Sequence, residues 1–393
     1  MTRLEQLIEE LCPNGVEFKK VKDVFQRLKG TPITAGKMKE IENPNGEIKV
    51  FAGGKTVINA NEADIPNANI TRVPAVLVQS RGVIDVVYYE EPFTFKNEMW
   101  AYTTDNKTTV KYLYYVLKNN IQHFRDAASG MGSLPQISLP VTEEFYIPIP
   151  PLQVQSEIVR ILDNFTELTA ELTAELTARK QQYDYYNNIL LSFDNPTYQT
   201  LEELCDIVDY RGKTPRKVDE GIFLVTAKNI RKGFIDYDKS KEYISPEDYD
   251  EVMHRGFPKM GDVLITTEAP CGNVAQIDNE NIALAQRVIK YRPKSNNLNS
   301  TFLKYVLLGK EFQDKLERAA TGGTVKGIKG SKLHKLTIPV PPIEEQERIV
   351  EILERFDTLC NDISEGLPAE IEGRRKQYEY YRDKLLTFKE LGV

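Results

Sequence analysis

Apolar residues recur every third or fourth position along the middle of the chain, at Ile158, Leu162, Phe165, Leu168, Leu172 and Leu176, and continue through Tyr183, Tyr186, Leu190 and Phe193. Over roughly 40 residues this spacing predicts one long helix, about 60 Å at 1.5 Å per residue, whose stripe faces a second long helix in a seam. The stripe returns at Ile349, Leu353, Phe356 and Leu359. Both stretches belong to a longer repeat. IPIPPLQVQSEIVRILDNF from Ile147 matches IPVPPIEEQERIVEILERF from Ile338 at an offset of 191. Further on the offset becomes 195, with Tyr183 matching Tyr378, Tyr186 matching Tyr381 and Leu190 matching Leu385. The second copy is therefore one helical turn longer. It contains Gly366 and Pro368, and an interior proline costs about 3 kcal/mol, so a kink or break is expected there.

The segments between the repeats read as short strands followed by a helix. In the first, EIKVFAGG, AVLVQSRG, VIDVVYYE and FTFKNEMWAYTT have strand character, TTVKYLYYVLKNNIQHFRDAA has helical spacing, and SGMGSLPQIS is a glycine-rich loop. In the second, GIFLVTAKNI, DVLITTEAP, NVAQID and LAQRVIKYRP precede the helix NSTFLKYVLLGKEFQDKLERAA and the loop TGGTVKGIKGS. The plan is shared although the detailed sequence is not. The fold class expected is α+β: two mixed α/β domains, 1–146 and 198–335, separated by two long antiparallel coiled-coil helices, 147–197 and 336–393, as a pseudo-twofold tandem repeat.

Charge changes the picture only locally. Lys and Arg number 51 against 58 Asp and Glu, a net charge of −7 over 393 residues. Yet Arg211, Lys213, Arg216, Lys217, Lys228, Arg231 and Lys232 cluster against only Asp219 and Glu220, and Arg318 to Pro342 contains no acid. Local charge decides where phosphate can dock. The four cysteines and three histidines are scattered, which leaves no zinc spacing or disulfide framework and suits a reducing cytoplasm. The start, MTRLEQLIEELC, lacks a signal-peptide core, and no apolar run is long enough for a membrane span. A soluble cytoplasmic protein is expected.

No catalytic constellation stands out. Asn195-Pro196-Thr197-Tyr198 lacks the second proline of an adenine-methyltransferase loop and has no cofactor-binding glycine motif beside it. Gly54-Lys55-Thr56 would be a P-loop only if Lys49 were glycine. Glu47-Ile48-Lys49 could close a nuclease-like set, although such triplets arise readily in charged chains.

The IPxPP entry, the Q-x-x-I-V-x-I-L-x-x-F helix start and the R/K-K/Q-Q-Y-x-Y-Y run, each present twice, resemble the DNA-specificity subunits of type I restriction-modification enzymes, as does ELCPNGVEFKKV near the start. The resemblance implies a non-catalytic subunit that reads a bipartite duplex target, one half per block. It also implies docking of two methyltransferase subunits, which supply the S-adenosylmethionine site, and of restriction subunits, which supply the ATP and Mg sites; no cofactor is expected in this chain. A specificity module of a self-contained modifying enzyme, and a coiled-coil scaffold unrelated to DNA, are the alternatives.

Phosphate contact calls for Lys, Arg or small hydroxyls on loops, and base reading for Arg on guanine and Asn or Gln on adenine. The candidates in the first block are Lys29, Thr31, Lys55, Ser80, Arg81, Ser133 and Gln136. In the second they are Arg211, Lys213, Thr214, Arg216, Lys228, Asn229, Arg231, Lys326, Lys329 and Lys332. Trp100 is expected in the core. Tyr185 and Tyr380 fall off the seam, where they are candidates for receiving the methyltransferase subunits. Finally, ELTAELTAELTA (Glu167 to Ala178) is three tetrads, each about 6 Å of helix with a net turn of about 40°. That turn is close to the roughly 34–36° of one base pair. The long helix is therefore expected to act as a ruler between two readers.

Overall fold

The computed structural model describes residues 3–54, 56–129, 134–210, 215–322, 326–361 and 366–392. The chain forms two compact units, Met1–Thr173 with Glu370–Val393, and Ala174–Ala369.

The strands of the first unit are β1 (Glu17–Lys20), β2 (Gln26–Lys29), β3 (Ile48–Phe51), β4 (Val57–Ala60), β5 (Ala75–Gln79), β6 (Asp85–Tyr89), β7 (Phe93–Phe95), β8 (Trp100–Thr103) and β9 (Tyr146–Ile149). They form a four-stranded sheet ordered β2-β8-β5-β6, a three-stranded sheet β4-β3-β7, and the ribbon β1-β9. Among the described residues these strands pair antiparallel except β3 with β7. β5, four apolar residues followed by Gln79, is buried at all five positions, as a strand covered on both faces requires. The expected helix after β8 divides into Lys107–Asn119 and Ile121–Asp126. Asn106 caps the first of these, its Oδ1 accepting the Thr109 N–H at 3.1 Å.

The second unit contains β10 (Tyr198–Thr200), β11 (Cys205–Asp209), β12 (Lys217–Val218), β13 (Ile222–Val225), β14 (Tyr243–Ile244), β15 (Val263–Thr267), β16 (Cys271–Gln276), β17 (Ile282–Leu284), β18 (Val288–Pro293) and β19 (Thr337–Pro339). The orders are β11-β18-β15-β16, β12-β14-β13-β17 and β10-β19, and β13 with β17 is again the parallel pair. Gly309 divides the following helix into Ser300–Leu308 and Lys310–Ala319, with Asn299 as the cap. The order of the four-stranded sheet and the parallel pair in its companion sheet are thus duplicated where the sequence has diverged, while the companion sheet of the second unit has the additional strand β12.

The repeated motif has a structural cause. Pro151 O and Pro342 O accept the first helical N–H groups of each long helix, which leaves the carbonyl of the preceding proline to find another donor. The motif's glutamine satisfies it: Gln155 Nε2 donates to Pro150 O and Gln346 Nε2 to Pro341 O, each at 2.8 Å. Just beyond, Val154, Ile158 and Leu162 are fully buried in the core of the first unit with Tyr102, Tyr112 and Leu113. Ile349 and Leu353 enter the core of the second with Phe302 and Tyr291.

The central helix is continuous from Leu152 to Leu190. In the second unit, Phe356 stacks on Tyr186 at 5.7 Å and leans on Tyr183 at 6.2 Å. Earlier in its helix Leu353 shares the core with Leu190 and Leu191, and later Cys360 lies near Lys180 and Arg179. The two helices therefore run antiparallel. The first unit holds the repeat-related pair, Phe165 stacked on Tyr381 at 5.6 Å. Leu168 and Leu176 are half-buried and Leu172 is buried, as the seam requires. Leu359 departs from expectation: it is 37% exposed, whereas Cys360 is 1% exposed. The steps Ile349, Leu353, Phe356 alternate four and three, so the next seam position is four residues on. The expected interruption is present: helix Ile343–Asn361 ends and Leu367–Leu385 begins. Pro368 thus occupies the first turn, where a missing N–H costs no helical bond.

The two glutamines differ in one respect. Gln346 Oε1 also accepts the Asn299 N–H (2.9 Å) and its Nε2 reaches Asn297 O (2.9 Å), which ties the capped helix to the long one. Gln155 Oε1 has no hydrogen-bond partner among the described residues. Gln346→Ala should therefore lower stability in a denaturant or thermal melt by about 1–3 kcal/mol, and Gln155→Ala by less.

Candidate nucleic-acid interface

Each unit presents a glycine-rich loop from the same place on its four-stranded sheet. Ile137 N–H donates to Ser80 O just past β5 (2.9 Å), and Ile328 N–H donates to Thr267 O at the end of β15 (3.0 Å). Each loop is closed at its neck by a reciprocal backbone pair. Ser129 and Gln136 exchange N–H···O bonds of 2.9 and 3.1 Å, and Thr321 and Gly327 exchange bonds of 2.8 and 3.0 Å.

In the first unit a groove beside this neck is lined by Lys39, Gly53, Gly54, Arg81, Gly82 and Leu134. Gly54 (φ +72°) and Gly82 (φ +81°) supply left-handed turns there, and Gly54 N–H donates to Arg81 O (3.1 Å). Arg81 and Gln136 are exposed, as is Lys29. In the second unit Arg216, Lys228, Lys329 and Lys332 are exposed, with no ion-pair partner among the described residues. Arg231 is held by Asp236 (3.4 Å) and Lys326 by Glu317. The turn carrying Lys228 hangs from β16, since Asn273 Nδ2 donates to Ile230 O (2.7 Å) and Gly233 N–H donates to Val274 O (2.8 Å).

Three candidates are scaffold rather than surface. Thr31 is buried; its Oγ1 hydrogen-bonds Thr94 Oγ1 (2.7 Å) and accepts the Asn69 N–H (2.9 Å). Ser80 is buried and donates its hydroxyl to Glu98 O. Asn229 is buried with its amide engaged: Oδ1 accepts from Thr226 N (3.0 Å) and Thr226 Oγ1 (2.7 Å), and Nδ2 donates to Asp236 O and Ser240 O (3.0 Å each). Each was chosen from sequence for its hydrogen-bonding capacity, which the backbone has consumed. Lys55, Ser133, Arg211, Lys213 and Thr214 lie outside the described residues.

Two residues at the loop neck were not among the candidates. Glu268 bridges to Gly327, and Arg287 pairs with it at 3.2 Å, both side chains being about half exposed. Lys290 and Lys304 are lysines of another kind. Burial pulls both below the usual lysine range against the opposing pull of Asp262 and Asp357, which marks them as core groups.

Trp100 is in the core, with its Nε1 donating to Thr142 Oγ1 at 2.9 Å. Glu47 accepts the Glu62 N–H (2.9 Å), and that bond holds its carboxyl below the usual range, so it caps a turn. Tyr185 and Tyr380 are 62% and 63% exposed, each edge-on to the neighbouring seam tyrosine. Among the described residues no cluster could hold a metal ion, and no helix is long and apolar enough to cross a membrane.

The model of the type I restriction modification DNA specificity domain matches twice, over residues 13–179 and 197–373. The chain belongs to this family. It is 40% identical over 310 residues to the specificity subunit of an Escherichia coli type I restriction enzyme, covering 72% of each chain. It is 33% identical over 315 residues to a putative type I restriction enzyme specificity subunit of Haemophilus influenzae, covering 75% of this chain and 77% of that one. The fold is that of a type I restriction-modification S subunit from M. genitalium, with a TM-score of 0.61 at 17% identity over 95% of this chain and 96% of that one.

The division between scaffold and surface is open to test. Asn229→Ala should cost about 1–3 kcal/mol of stability through stranded buried partners. Arg216→Ala, Lys228→Ala, Lys329→Ala and Lys332→Ala should each stay within about 0.5 kcal/mol in the same melts.

Proposed function

We propose that this specificity-family chain reads a bipartite duplex DNA target, one half-site per unit. In this reading it acts as the non-catalytic, cytoplasmic subunit that brings two methyltransferase subunits and restriction subunits to that target. The observation that carries the reading is the duplicated loop neck: one backbone arrangement on two sheets of the same order, bearing different exposed side chains. Exposed Lys and Arg without ion pairs among the described residues are available to neutralise phosphate, and the backbone pair closes the neck of each loop beside its sheet. The cofactors reside in the partners, S-adenosylmethionine in the methyltransferase and ATP with Mg in the restriction subunit. This chain contributes the DNA address and the docking surfaces.

The reading is tested by binding at several salt concentrations. The quadruple Ala variant at Arg216, Lys228, Lys329 and Lys332 should bind more weakly and lose up to about four units of salt slope. Unchanged affinity and slope would remove these residues from the interface.

We propose that the central helix acts as a ruler between the two readers. Its three ELTA tetrads lie within one continuous helix, with Thr169 and Thr173 hydroxyls bonded back to Phe165 O and Thr169 O. Deleting one tetrad should leave both half-sites unchanged and shorten the gap between them by one base pair, or two, as mapped by sequencing methylated adenines. A retained gap, or altered half-sites, would refute the ruler. Tyr185 and Tyr380, exposed beside the seam, are proposed to receive the methyltransferase subunits. The Tyr185→Ala/Tyr380→Ala double variant should lose methyltransferase pull-down while keeping its melting temperature.

A further inference from the structure

The two units can be aligned through hydrogen bonds alone, without sequence similarity. Ile137 N–H bonds Ser80 O as Ile328 N–H bonds Thr267 O, which makes Ser80 and Thr267 equivalent and places Arg81 opposite Glu268. From those positions the hydroxyl of Ser80 bonds Glu98 O and the hydroxyl of Thr267 bonds Arg287 O. The strand registers agree: Val78 faces Trp100 and Thr266 faces Val288, so counting on by two and by one reaches residues 98 and 287. The equivalent positions therefore carry Arg81 and Glu98 in one unit and Glu268 and Arg287 in the other. The charges are exchanged.

We propose that these two positions carry the base-reading side chains of each half-site, Arg81 in one unit and Glu268 with Arg287 in the other, a specificity-determining element that rests on the DNA-reading function proposed above. In the first unit Glu98 is held by Lys96 at 2.9 Å, whereas the exposed Arg81 side chain carries no hydrogen bond or ion pair among the described residues. A free guanidinium at the rim of the loop groove suits guanine O6 and N7. In the second unit the carboxylate of Glu268 suits the cytosine N4 amino group, and Arg287 beside it suits the guanine of the same base pair. The exchange of charges makes the two units select a G·C pair in opposite orientations.

The backbone of Arg287 supports a functional role. Its φ of +69° lies in the left-handed region, which is uncommon for a residue other than glycine and unfavourable by about 1 kcal/mol or more. It is held there by Thr267, whose N–H (2.9 Å) and hydroxyl (3.3 Å) both donate to Arg287 O. Glycine would satisfy that conformation better, so an arginine there is explained by what its side chain does rather than by stability.

That contrast supplies the test. The full chain, co-expressed with its methyltransferase, is titrated against duplexes in which each base pair of both half-sites is replaced in turn. Arg287→Gly should flatten discrimination at one G·C position of one half-site by about 10- to 100-fold. The other half-site should remain untouched, and the melting temperature should stay equal or rise. Arg81→Ala should do the same in the opposite half-site. The exchange Glu268→Arg/Arg287→Glu keeps the ion pair and should reverse the preferred orientation at that one position. Unchanged discrimination in all three variants, or a uniform loss across both half-sites as phosphate contacts would give, overturns this proposal while leaving the DNA-reading function standing. A wild-type complex with no two-part sequence preference would overturn both.

Discussion

The first turns of each long helix are buried inside the domain from which the helix departs. Val154, Ile158 and Leu162 in one case, and Ile349 and Leu353 in the other, are fully enclosed. Truncating any one of them would cost about 2–5 kcal/mol. The glutamine bonded to the proline carbonyl at each entry adds a second tie at the joint. Each domain is therefore fixed in rotation to its own helix. With 3.6 residues per turn, four added residues advance a helix by about 40°. A ruler made of helix works only if its ends are clamped in this way.

The sequence made the helices legible because a stripe at 3–4 spacing has one reading, and because the same motif occurs twice. The stripe runs through Phe356, which stacks on Tyr186, and then takes Leu359 where Cys360 is the buried residue. Leucine is the more hydrophobic choice, and phase along the seam decided against it. The strands were legible as short apolar runs, but the duplicated sheet order was not. Order is fixed by hydrogen-bond pairing between segments far apart in the chain, which residue type does not encode.

The loop residues were legible in kind and not in role. Thr31, Ser80 and Asn229 have the hydrogen-bonding groups that nucleic-acid contacts use, and a folded loop uses the same groups to hold its own backbone. Glu268 and Arg287 escaped notice because they lie at strand ends 19 residues apart. Only the register of β15 with β18 brings them together. The necks of both loops rest on backbone N–H···O bonds, so the side chains above them can change without loss of the scaffold. This accounts for two units with one topology and different surfaces. It also explains how a chain of net charge −7 can still present local cationic edges.

The central claim, two readers clamped to one helical frame, is tested most directly by selection from a random duplex pool. The wild-type chain, complexed with its methyltransferase, would be used to enrich bound duplexes for sequencing. Two short selected blocks separated by a fixed number of unselected positions are expected. One continuous selected block, or two blocks at variable separation, would contradict the claim.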